Sequence, residues 1–235
     1  MTLPEVMTRL AALGTEQTKK TLMRHGAPEP LAGVRVADLQ PLRKQLKGKQ
    51  ELAMELYATG HSDAMYLAGL IADGAKMTVA ELDAWAAGAK WHLHAGTTVP
   101  SVAAEHPEGM ACAERWIASA DAMVATSGWS TLAALVSTVS DDALPVQRLK
   151  DLLDRAVRAL PKAPDRVRYA MNGYVIACGA YCEPAASHAL GVARAIGKVK
   201  VDMGRTACKV PDAEDYIARS RRDGKAAPKR KTVRC

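Results

Sequence analysis

Apolar residues recur every three to four positions along nearly the whole chain, and short Gly, Pro or Asx stops break the run. That period marks helices with one buried stripe. It predicts helices near 3–13, 15–25, 38–47, 50–59, 62–73, 78–90, 98–106, 108–119, 121–138, 145–160, 164–181, 183–197 and 211–223. Several have start signals with a mechanism. Thr78 and Glu81 have the spacing of a capping box, in which each side chain satisfies a backbone N–H of the first turn. Ser140, Asp141 and Asp142 would put an acceptor and negative charge at the positive end of the next helix. Pro164 suits a first helical position. Gly26, Gly60, Gly74 and Gly224 read as stops. The one strand-like stretch is a weak "VKVDM" at 199–203.

Thirteen helices of these lengths are too many for one bundle core. Antiparallel pairs at a period near 40 residues match HEAT-type units, so the pattern predicts an all-α protein, an α–α superhelix built as a HEAT-like repeat solenoid. The inner helices of such a solenoid line a concave surface, which suits an extended partner. Composition agrees. Of 235 residues, 49% are apolar, yet aromatics are only 4% and Phe is absent, so Ala, Leu and Met carry the core and favour helix over strand.

Charge divides the chain in two. Arg219, Arg221, Arg222, Lys225, Lys229, Arg230, Lys231 and Arg234 face one acid, Asp223, whereas residues 1–218 hold 24 bases and 24 acids. The expected organisation is one solenoid domain over 1–218 and a basic tail over 219–235. A neutral body with a cationic arm suits nucleic acid or another polyanion, and it equally suits a solvated segment that keeps the protein soluble. The five cysteines form no C-x-x-C pair, no apolar run approaches a membrane span, and residues 1–25 lack a signal-peptide core. A cytoplasmic protein with core thiols at Cys178 and Cys182 is the expectation, and no metal or other cofactor is called for.

Three clusters offer chemistry. "KWHLHAGTTVP" gathers Trp91, His92 and His94 just past a helix. "SGWST" sets Trp129 among small residues. "DRVRYAMNGYVIACGAY" carries Arg166, Arg168, Asn172 and Tyr174, with an apolar stripe at Val167, Met171, Tyr174 and Cys178. Each has a packing alternative: a helical Trp is usually core, histidines at a helix end can bond its free carbonyls, and the arginines can pair with Asp165. Asn172 needs partners if buried, because its side chain competes with the backbone.

The chain resembles the DNA alkylation repair family, the HEAT-like bacterial DNA glycosylases for alkylated purines. The resemblance lies in "LAMELYATGHSDAMYLAGLIAD" followed by "TVAELDAWAAGAKW", in "VPSVAAEHP", in "ERWIAS" and in the "NGY" helix. It looks closest to a sub-branch ending in "IGKVKVDMGRTACKVPDAEDYI" and "KRKTVRC". It implies a basic concave face that cradles duplex DNA and, in active members, hydrolysis of the N-glycosidic bond of N3- or N7-alkylated purines. An alkylated base is already a cationic leaving group, so the remaining need is a carboxylate and aromatic faces beside an oxocarbenium-like sugar. On that reading Trp91, His92 and Tyr174 are the candidates for the reacting centre. His94, Trp129, Arg166, Arg168, Asn172, Lys229, Arg230 and Lys231 are the candidates for DNA contact, and the partner is duplex DNA bound by a monomer at the bacterial nucleoid.

The family's acid should precede the Val-Pro pair by about three residues, where this chain reads Gly96-Thr97-Thr98. No Asp or Glu occurs from Ala84 to Ala104, so Asp83 or Glu105 would have to reach in. The family's Arg falls near Thr126 to Trp129, where there is no base. Three readings therefore stand: a DNA-binding protein with an altered glycosylase site, a non-catalytic scaffold for damaged or branched DNA, and a protein-interaction solenoid.

Overall fold

A computed structural model describes residues 1–204, 206–221 and 223–234. Thirteen α-helices follow one another among them: α1 (Leu3–Leu13), α2 (Glu16–Arg24), α3 (Val36–Leu46), α4 (Gln50–Ala58), α5 (Ser62–Ile71), α6 (Val79–Gly88), α7 (Val99–Ala103), α8 (Gly109–Trp116), α9 (Ala122–Thr138), α10 (Val146–Ala159), α11 (Asp165–Tyr181), α12 (Glu183–Ile196) and α13 (Ala213–Ser220). No strand forms among the described residues, and "VKVDM" runs as extended coil. None of their helices is long and apolar enough to cross a membrane. The architecture is an all-α superhelix of stacked hairpins.

The buried side chains form two large cores and a small cluster of Ala27, Leu31 and Trp91. The first runs from Val6 on α1 to Trp116 on α8, and the second from Ala113 on α8 to Ile217 on α13. Helix α9 joins them, because it packs on α8 and α7 as well as on α11. The α8–α9 approach depends on Gly128: a Cβ there would lie 2.7 Å from the Ile117 backbone nitrogen and 2.8 Å from the Ala113 carbonyl. The expected stripe of α11 is the spine of the second core, with Val167, Met171, Tyr174 and Cys178 all buried.

The local signals were of mixed value. The capping box exists: Thr78 N–H donates to Glu81 Oε2 at 2.7 Å, and Glu81 N–H donates to Thr78 Oγ1 at 3.2 Å. Gly26 and Gly60 end helices with positive φ. Gly74 does not. It opens a single 3-10 turn so close to Val102 that a Cβ would meet that carbonyl at 1.9 Å. Gly224 lies past the end of α13, at Ser220. Asp141, expected to start α10, instead accepts the Glu183 N–H at the start of α12.

The larger departure is between Lys90 and Pro100. The sequence suggested a helix end, a release at Gly96 and a new helix from 98. The chain instead makes one continuous helical run from His92, with a π turn over His94–Thr98 leading into α7. Pro100 explains it. Proline cannot donate to the carbonyl four residues back, and its ring crowds that carbonyl. The backbone widens instead, so that Val99 N–H donates to His94 O, five residues back.

The basic tail is not a detached arm. After α13 it returns across the molecule as a strap. Ala227 N–H donates to Ala180 O, Arg230 N–H to Ser137 O, and the Arg234 guanidinium to Ala72 O. Arg222 and Cys235, counted with the tail in the sequence, lie outside the described residues.

Candidate nucleic-acid interface

The π turn sets the register of the cluster that the sequence singled out. Trp91 is buried against Ala27 and Leu31, and its indole N–H donates to His25 O at 2.8 Å. His94 is wholly buried, with Nε2 3.0 Å from Ser62 O at the start of α5. Both rings meet edge-on, 5.2 Å between centroids. His92 also meets the Trp91 ring edge-on, 5.7 Å between centroids, and stays half-buried. Burial holds His92 down to about 4, and Arg166, His25 and His94 push in the same direction. Burial likewise holds His94 down to about 4, against the opposing pull of Ser62 O and Asp63. Both imidazoles are therefore neutral at pH 7.

Arg166, in the first turn of α11, is the strong charge beside His92. It makes no ion pair among the described residues, and its one polar contact there is a long 3.9 Å approach to Met203 Sδ. That contact shows where the described residues that follow α12 go. They fold back over this end of the molecule, so Cys208 Sγ comes to 4.0 Å from His25 Nδ1, at the end of α2. His25, His92, Arg166, Met203 and Cys208 thus share one surface, drawn from four distant parts of the chain. Lys209 is exposed next to Cys208.

The other expected residues have packing roles. Trp129 and Tyr174 lie in the second core, 5.4 Å apart and 1% and 0% exposed, and the Tyr174 hydroxyl donates to Leu149 O. Asn172 is buried and its amide donates to Pro211 O at 2.9 Å, anchoring the chain that leads into α13. Arg168 pairs with Asp165, one turn back. Lys229 is spent on Asp141 and on Val136 O. Of the residues expected at a DNA surface, this leaves His92, Arg166, Arg230 and Lys231 with side chains open to solvent.

The acids that would have to substitute for the missing carboxylate are committed elsewhere. Asp83 accepts from Trp116 Nε1 at 2.7 Å and from Arg115 at 2.9 Å. Glu105 accepts from Gly74 N–H and from Arg234. Asp202, the acid next to Met203, turns onto its own loop and accepts from Gly204 N–H. The standing charge that bears on His92 is the Arg166 guanidinium, which is positive. A developing cation would be repelled here, while a phosphate would be attracted.

One acid that the sequence did not flag is structurally central. Asp63 is 4% exposed on α5, and its carboxylate accepts the N–H groups of Ala32, Gly33 and Val34. It fixes the loop that carries Ala27 and Leu31, which in turn covers Trp91. Its signal in the sequence was only an acid inside an otherwise apolar helix.

Residues 6–209 match the model of a family described as DNA alkylation repair enzyme. The chain belongs to that family. Two relatives are an uncharacterised protein of Listeria innocua serovar 6a, 31% identical, and one of Listeria monocytogenes serovar 1/2a, 32% identical. Each alignment runs over 228 residues, 94% of this chain and 98% of the relative. A solved structure superposes with a TM-score of 0.91 at 34% identity, covering all of both chains. That protein is described as one of a new family related to the HEAT-like repeat DNA glycosylases, with affinity for branched DNA structures. The superhelix of this DNA alkylation repair family member is accordingly of the HEAT-like repeat kind.

Proposed function

We propose that this family member binds duplex DNA without cutting it, and that it recognises branched duplexes. The surface formed by His25, His92, Arg166, Met203 and Cys208 receives phosphates. The observation that carries this reading is Arg166, which has no ion-pair partner among the described residues and stands beside the half-buried His92. The nearby rings are buried and its candidate acids are bound elsewhere, so the arrangement supports phosphate contact better than glycosidic hydrolysis. The relative with affinity for branched DNA supports the choice of partner. Such a protein acts at the nucleoid as a reversible binder, and its affinity falls with salt as counterions are released.

The test combines binding with chemistry. Methylated duplex DNA is incubated with the protein, and free alkylated purines are measured beside binding to intact duplex and four-way junctions. Salt-sensitive binding is expected, with no base release above an Arg166→Ala control. Catalytic release of N3- or N7-alkylated purines would reinstate the glycosylase reading. Failure to bind any DNA at low salt would leave the protein-interaction reading.

A further inference from the structure

The strap crosses the C-terminal ends of three helices in order. Arg221 donates to Gly179 O and Ala227 N–H to Ala180 O at the end of α11. Lys229 donates to Val136 O and Arg230 N–H to Ser137 O at the end of α9. Arg234 donates to Ala72 O at the end of α5. Free carbonyls and the negative end of the helix dipole explain why cations dock there. Three acids of this edge are matched, Glu183 with Arg221, Asp141 with Lys229 and Glu105 with Arg234, while Asp223 on the strap itself is exposed.

That matching leaves a remainder. Lys225, Arg230 and Lys231 are exposed and make no ion pair among the described residues. They do not swing freely, because Ala226, Ala227, Lys229 and the Arg230 backbone are pinned on either side. The strap thus presents three unneutralised cations from an anchored backbone, and less order is lost on binding than a floppy arm would lose.

The same helices place this edge relative to the first surface. Arg166 sits in the first turn of α11 and the strap meets its last turn at Ala180, so the two are about 20 Å apart along the helix. Helix α5 is laid out alike: His94 contacts its first residue, Ser62, and Arg234 its C-cap, Ala72. One end of the layer therefore carries the Arg166 surface and the other carries the strap.

We infer that the strap edge is a second phosphate-binding site, and that it holds a second duplex arm when the first lies on the Arg166 surface. This rests on the DNA-binding reading above and supplies its geometry. Two cationic edges held apart by rigid helices contact one arm of a linear duplex but two arms of a junction. The second contact is then intramolecular, and its effective concentration raises affinity without any new bond within the protein.

The experiment measures Kd for a four-way junction and for a linear duplex of equal arm length, using the full chain. The variants are Lys225→Ala/Arg230→Ala/Lys231→Ala and Arg166→Ala. The triple variant is expected to lose about tenfold or more on the junction. Its linear-duplex affinity should move by no more than about twofold, with an unchanged Tm. Arg166→Ala is expected to weaken both. A triple variant that keeps the wild-type junction-to-duplex ratio overturns the inference alone and leaves the Arg166 surface standing. Equal loss on both DNAs also overturns it, because the cations would then serve one continuous surface. Wild-type protein that binds neither DNA overturns the DNA-binding reading and this inference with it.

Discussion

Asp63 shows how one side chain can set the frame for a site it never touches. Three backbone N–H groups converge on its carboxylate inside the protein. Removing it strands them, at about 1–3 kcal/mol for each buried donor left unpaired. Asp63→Ala should therefore lower unfolding stability by about 3 kcal/mol or more, read by urea denaturation, and Asp63→Asn should recover part of the loss. A change below about 1 kcal/mol for the alanine variant would contradict this account. The histidines give a second expectation. His92, His94 and His61 are all lowered in the folded protein, with burial as the main cause. Their neutral forms fold, while the unfolded chain takes up protons below about 6.5, so stability is full above that pH. It should decline as pH falls from 6.5 toward 4, and His94→Gln should flatten that decline. Chemical denaturation at pH 7 and pH 5 reads the difference. Equal stability at both would show that the rings are not held neutral.

Among the elements, helices were readable and what joins them was not. Period, capping box and stops placed α4, α5, α6, α9 and α11 to within a residue or two, since each signal is local in the chain. The π turn depends on Pro100 acting on a carbonyl in a helix that the sequence did not extend backward to His92. The strap depends on carbonyls at Ala72, Ser137 and Ala180, whose place on one edge no local pattern reveals. The tail therefore looked like a charged run in water, although three of its bases lie mostly buried: the Arg221 side chain is 14% exposed, Arg234 15% and Lys229 23%. The strap also ties the first core to the second, through Glu105 and Asp141. Lys229→Ala/Arg234→Ala is expected to cost about 1–3 kcal/mol, because each change leaves a carbonyl without that donor and a carboxylate without its cation. Faster amide exchange at Ala227 and Arg230 should accompany it. Wild-type stability and exchange in that variant would mean that the strap merely rests on the surface.

For the whole molecule, the candidate site was half legible. The resemblance drew attention to Trp91, His92, Arg166 and Tyr174, and two of these, His92 and Arg166, share the open surface. The buried rings could not be told apart in the sequence, because a large side chain reads the same whether it meets a ligand, a loop or a second layer of helices. Trp129 and Tyr174 meet the second layer, and a Tyr174→Ala change belongs to stability, at about 3–5 kcal/mol for a buried aromatic. The absent partner of Arg166 is a property of the assembled molecule, since Asp165 lies next to it in sequence and pairs with Arg168 instead. Met203 and Cys208, which complete the surface, come from more than 100 residues away in sequence relative to His25 and His92.

The central claim is that an unneutralised arginine beside a neutral histidine receives DNA phosphates. It is tested most directly by titrating wild type and Arg166→Ala with a four-way junction over a range of salt concentrations. The account predicts weaker binding for the variant at low salt, by about 1–2 kcal/mol, and a log–log salt slope shallower by about one phosphate contact. Identical affinities and slopes for the two proteins, or no binding by either, would contradict it.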